Sequence, residues 1–80
     1  MAWETTEYFR EKRDHPRVTF EHAIEAVEHA AEVRSQANGR LRVWGYVEEL
    51  DRFVRVVLLP DKHTIHNAFI DRNYSRRHRS

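Results

Sequence analysis

Eighty residues are enough for one domain, 1–80, but lie near the lower limit for a core that supports itself. Hydrophobic residues make up 40% of the chain and aromatic residues 11%, with two glycines and two prolines, a profile that excludes a disordered polymer. The lack of cysteine excludes disulfides, thiol nucleophiles and zinc–thiolate centres, and no stretch approaches the ~20 apolar residues of a membrane span or a signal-peptide core, so a cytoplasmic protein without membrane contact is expected.

The net charge of +1 conceals an asymmetry. Residues 1–39 carry eight acidic groups against five basic ones, and residues 40–80 carry nine basic against five acidic. Such a division steers an anionic ligand toward one side of a small protein.

In chain order, Thr5 and Thr6 before Glu7-Tyr8-Phe9-Arg10-Glu11-Lys12-Arg13 predict a short helix ending before Pro16. Thr19 predicts an N-cap for a second helix from Phe20 to about Arg34. Phe20, Ala23, Ile24, Val27, Ala30 and Ala31 fall on one side of it, and Glu21, Glu25, Glu28 and Glu32 on another. Ser35-Gln36-Ala37-Asn38-Gly39 breaks the pattern. The period then becomes two. Leu41, Val43, Gly45 and Val47 alternate with Arg42, Trp44, Tyr46 and Glu48, Phe53–Leu59 forms a second strand, Pro60-Asp61-Lys62 turns, and His63–Ile70 forms a third. The expected fold class is α+β, with N-terminal helices packed on a three-stranded antiparallel β-meander. Residues 71–80 are expected to form a basic tail or a short helix.

Even-numbered hairpin loops would place Trp44 opposite Val57, and Val57 opposite His66. One face then gathers Leu41, Val43, Val47, Val54, Val56, Leu58, Ile65 and Phe69, with Asn67 an awkward polar member. The other gathers Arg42, Trp44, Tyr46, Phe53, Arg55, Val57, Thr64, His66, Ile70 and Arg72. Rings beside fixed cations suit bases and phosphates, a histidine can exchange a proton at neutral pH, and arginine forks match a phosphate whose charge grows in a transition state. Six histidines raise the question of a metal. His63 and His66 would point to opposite faces of a strand, and His22 and His29 lie two helical turns apart, so neither a metal nor another cofactor is expected.

Three stretches carry a family resemblance: Trp3, His15 and Thr19-Phe20-Glu21-His22-Ala23; Gly39-Arg40 leading to Val54-Arg55-Val56-Val57; and Asp71-Arg72-Asn73-Tyr74-Ser75-Arg76-Arg77-His78. Together they resemble the BrnT family of type II toxins, within the RelE/ParE-like class of small ribonuclease toxins. The chain departs from that pattern at Pro16, at Leu58-Leu59 and at His78. A neighbouring uncharacterised family with an "H-A-x-x-R…GRYRV" pattern is matched almost as closely and implies fold alone. The resemblance implies a RelE/BrnT-like fold, RNA as the substrate, a cognate antitoxin as partner, and functional roles for Arg72, Arg76 and Arg77, with His15 a weaker candidate.

The expected function is therefore the toxin of a toxin–antitoxin pair, a metal-independent endoribonuclease. His66 would shuttle the proton, and Arg55 and Arg72 would stabilise the phosphate. Arg42, Trp44, Tyr46, Arg76 and Arg77 would contact RNA. A homodimer or a toxin–antitoxin hetero-oligomer is compatible with it. The alternatives are a non-catalytic module that binds nucleic acid or protein through the same face, and a protein-interaction domain that docks a basic partner on its acidic helix stripe.

Overall fold

The computed structural model describes residues 3–11 and 18–74. Its elements run β1 (Glu4–Thr5), α1 (Glu7–Glu11), α2 (Phe20–Glu28), β2 (Ala30–Ser35), β3 (Leu41–Val47), β4 (Arg52–Leu58) and β5 (Thr64–Ile70), followed by a helical turn at 72–74. The result is a small α+β domain with one five-stranded mixed sheet in the order β1-β5-β4-β3-β2. No helix among the described residues is long and apolar enough to cross a membrane.

The expected antiparallel meander forms the centre of this sheet, but the sheet is wider than three strands. β1 adds one edge, pairing parallel to β5 through Glu4 and Thr5. β2 adds the other, antiparallel to β3. β2 comes from the second half of the expected long helix. Thr19 caps α2 as its sequence suggests: its hydroxyl accepts the His22 N–H at 3.2 Å, while His22 Nδ1 accepts the Thr19 N–H at 3.1 Å. The helix nevertheless ends at Glu28, and His29 leaves helical geometry. Ala31-Glu32-Val33-Arg34 also alternates apolar and charged residues. A backbone ladder along β3 outweighs further turns of an end that buries nothing.

α2 lies across β3 and β4. Beneath it sit Val43, Val47, Val54, Val56, Leu58, Ile65 and Ala68, with Phe9 of α1, Phe20 and Trp3 packed around them. The helix sits low because β3 carries glycine where they meet: a Cβ on Gly45 would lie 1.9 Å from the Ala26 carbonyl oxygen. Two helix side chains also hold the β3–β4 loop. His22 donates from Nε2 to Glu49, and Glu25 accepts the Glu48 N–H at 3.1 Å. Part of the expected acidic stripe thus serves internal packing, and Glu32 lies on a strand rather than on the helix.

The register explains which side chains share a face. The β3–β4 loop is even, as expected, but the pairing is displaced by two residues, so Trp44 faces Arg55 and Arg42 faces Val57. A two-residue slip leaves the faces unchanged. β5 differs. Its pairing starts in the expected register, Leu58 with Ile65, and then slips by one at a bulge, after which Val57 faces Asn67, Val56 faces Ala68 and Arg55 faces Phe69. The bulge brings Ala68 and Ile70 to the core and turns Asn67 and Phe69 away from it. The amide that was misplaced on the aliphatic face thereby leaves it, and its oxygen accepts the Ala68 N–H at 3.0 Å.

Candidate functional site

The face opposite α2 is organised in cross-strand rows. Tyr46 stands beside Phe53. The next row runs Glu32, Trp44, Arg55 and Phe69, and the one after it Arg34, Arg42, Val57 and Asn67. Strand alternation therefore sorts the face into an aromatic end and an arginine end.

The aromatic end is closed. After β5 the chain turns at Asp71, whose N–H donates to the Phe53 carbonyl at 3.0 Å, and the turn at 72–74 lays Tyr74 over the sheet. Tyr74 stacks on Trp44 with centroids 5.3 Å apart and planes 14° apart, and meets Phe53 edge-on at 5.0 Å. Its hydroxyl donates to Glu32 Oε1 at 3.1 Å. Trp44 and Tyr74 are consequently 7% and 3% exposed. Trp44, expected as a base platform, packs against the chain's own tyrosine. Tyr46 remains 39% exposed at the rim, with its hydroxyl on Asp51 and its ring edge-on to Phe53.

Asp71 fastens this end. It accepts the Trp44 indole N–H at 2.9 Å and the Tyr74 N–H at 3.0 Å. Burial works against its ionisation, but the Trp44 indole, the Tyr74 N–H, the Arg55 charge and the Asn73 N–H together hold its carboxyl below the ordinary 3.8. Arg55 lies between the two ends. Its guanidinium carbon is 4.4 Å from the Phe69 ring centroid, and its Nε is buried with no hydrogen-bond partner among the described residues.

At the arginine end, Arg34 and Arg42 face each other directly across β2 and β3, an arrangement that costs stability unless an anion or carboxylate answers it. Within the chain, Glu32 pairs with Arg34. With its amide turned to face donors, Gln36 accepts from Nε and Nη2 of Arg42 at 3.0 Å each. A shallow depression lined by Arg34, Ser35, Gln36, Asn38 and Arg42 continues this surface around the β2–β3 hairpin.

The remaining expected residues fall elsewhere. His66 is the extra residue of the β5 bulge, so it does not join the row of Val57 or that of Trp44. Its ring stacks on Tyr8 at 4.9 Å and its Nδ1 shares a hydrogen bond of 3.1 Å with the Thr6 hydroxyl, whose oxygen also accepts the Phe9 N–H. Both partners come from the β1–α1 segment. Arg72 is exposed on the turn beyond β5, off the sheet face, while Thr64 stays at the β4–β5 turn, bonded to Asp61. Arg76, Arg77 and His15 lie outside the described residues. Among the described residues no group of three His, Asp or Glu side chains is gathered as a metal site.

Glu32, Arg34, Asn67, Phe69 and Tyr74 were not anticipated on this face. A signal for the first two was present: alternating residues on both sides of Asn38-Gly39, a strong hairpin dipeptide. Tyr74 gave no comparable signal. Compared with family models, with curated proteins and with solved structures, the chain shows no significant match.

Proposed function

We propose that this domain acts on RNA through the sheet face opposite α2, with the arginine end gripping the phosphate backbone. The observation that carries the reading is the direct juxtaposition of Arg34 and Arg42, with Arg55 diagonal to Arg42 on the same face. Cations held opposite one another on an exposed sheet are a cost in isolation and an asset against a polyanion. The RelE/BrnT-like resemblance of the sequence points to the same class of ligand. With Trp44 and Tyr74 stacked on each other, the grip rests on phosphate contacts, and Tyr46 at the rim is the ring placed to meet a base.

In its catalytic form this reading is the toxin expected from the resemblance, held in check by an antitoxin. RNA laid across the face then has to reach His66 at the β5 bulge and Arg72 on the turn beyond β5. A 2′-hydroxyl attacks the adjacent phosphorus, the bond to the 5′-oxygen breaks, and His66 takes the proton from the one oxygen and returns it to the other, without metal. Binding is tested by fluorescence anisotropy with single-stranded RNA over a salt series. Three phosphate contacts predict a slope of about −2 in log affinity against log salt. The same RNA incubated with the protein in EDTA separates the two forms. Cleavage that falls about 100-fold in His66→Ala or Arg72→Ala establishes the ribonuclease. Salt-dependent binding with intact RNA leaves a binding module, and no binding at low salt overturns the proposal.

A further inference from the structure

The outer edge of β2 carries a pattern that complements itself. β2 is the last strand of the sheet, with no strand beyond it among the described residues, and Val33 at its centre is 54% exposed. The Gln36 N–H donates to the Arg40 carbonyl at 2.8 Å, in the register that pairs Arg34 with Arg42 and Glu32 with Trp44. In an antiparallel ladder the hydrogen bonds link directly opposed residues at every second position. Residues 32, 34 and 36 therefore turn their backbone groups toward β3, and Val33 and Ser35 turn theirs outward. A strand that pairs with this edge must hydrogen-bond Val33.

We infer that two copies of this chain join through β2, antiparallel, with the two-fold axis passing between their Val33 residues. In that register each Val33 N–H donates to the other Val33 carbonyl. Each Glu32 then lies opposite Arg34 of the second copy, at the positions between hydrogen-bonded pairs where side chains approach most closely. Two interchain ion pairs result. Because Glu32 already pairs with Arg34 inside the chain, the exchange substitutes like for like and strands no charge. The exposed valines meet on the helix side, which α2 leaves open over β2. Charges on an edge strand ordinarily deter pairing, and so does a bulge. Here the charges are complementary under the two-fold, and the register shift between Ala30 and Glu32 leaves Glu32–Ser35 regular. The dimer sheet is twice as wide, and the two arginine ends adjoin across the axis. The inference stands whether or not the ligand is RNA.

A contact this short corresponds to a dissociation constant on the order of 100 μM. Sedimentation equilibrium across that range is expected to show a monomer–dimer equilibrium. Arg34→Glu and Glu32→Arg should each weaken it by about tenfold or more, because each turns both ion pairs into like-charge pairs. Mixed together, the two variants should form a heterodimer, since each then supplies the charge the other lacks. Glu32→Arg also removes the acceptor of the Tyr74 hydroxyl, so circular dichroism checks its fold. If it unfolds, Val33→Pro decides: it deletes the outward N–H, leaves the β2–β3 ladder intact, and should abolish the dimer. A wild-type protein monomeric throughout the range overturns the inference, as does a dimer indifferent to Arg34→Glu and Val33→Pro.

Discussion

The two faces of this sheet are made by the same alternating strands and solve opposite problems. Under α2 the strands present Val43, Val47, Val54, Val56, Leu58 and Ile65, all buried, and a helix backbone rests directly on Gly45. On the other face no helix comparable to α2 lies among the described residues. The turn at 72–74 instead folds back, so that Asp71 and Tyr74 close over Trp44 and Phe53, with Arg34 exposed and Arg42 half-exposed beyond them. Burial holds the first face together, while the second divides into a small polar-fastened cluster and an open cationic surface. The strands' sequence supplies the alternation, but the covering elements decide which half of it becomes core.

The largest effect should come from the helix face. Gly45→Ala forces a methyl group into the Ala26 carbonyl, with the Ala26 carbonyl carbon and Cα 2.5 and 2.6 Å away, all of it backbone that no rotamer change can clear. A loss of more than about 3 kcal/mol, or a fall in Tm on the order of 15 °C, is expected by thermal or urea unfolding. Gly39→Ala is the comparison. Its φ of +87° is unfavourable for alanine, but the nearest atom is a Pro60 ring carbon at 3.3 Å, so about 1 kcal/mol is expected. Equal losses in the two variants would mean that α2 does not rest on β3 as described.

On the opposite face, Trp44→Phe should cost about 2 kcal/mol, through lost volume and the lost indole bond to Asp71. Its pH dependence is the sharper measure. The folded Asp71 carboxyl lies below its ordinary 3.8, so its ionised form stabilises the fold above that value, and the contribution disappears as pH falls through the folded value. Without the indole donor the carboxyl moves back toward its ordinary value. The deficit of the variant should therefore be full at about pH 6 and shrink below about pH 4. A deficit constant with pH would assign the whole effect to packing.

The meander was legible in the sequence because its hydrophobic period is strict and its turn residues are characteristic. The positions of Arg42, Trp44, Tyr46 and Arg55 on one face followed from parity alone and survived a displaced register. Two features escaped for physical reasons. Residues 30–35 satisfy a helical and a strand period at once, and the choice rests on β3 having an open edge, a tertiary fact. The bulge at His66 is equally non-local. A single extra residue moved the histidine out of its expected row and exchanged Phe69 for Ile70 in the core.

The smallest effect on stability should accompany the clearest effect on binding. Arg42→Gln removes one member of a like-charged pair directly opposed across two strands. Relief of that opposition offsets the loss of the two hydrogen bonds that Arg42 donates to Gln36, so stability should change by no more than about 0.5 kcal/mol. The same cation is assigned to a phosphate, so RNA affinity should fall several-fold at low salt and the salt slope should shrink by about 0.7. Arg52→Gln is the control. Arg52 belongs to the same basic half of the chain, but it pairs with Asp51 at the other end of the hairpin, away from Arg34 and Arg42. If net charge alone drew RNA to the protein, both substitutions would weaken binding equally. A loss confined to Arg42→Gln, without loss of stability, would show that the uncovered half of the sheet is kept cationic for a ligand rather than for the fold.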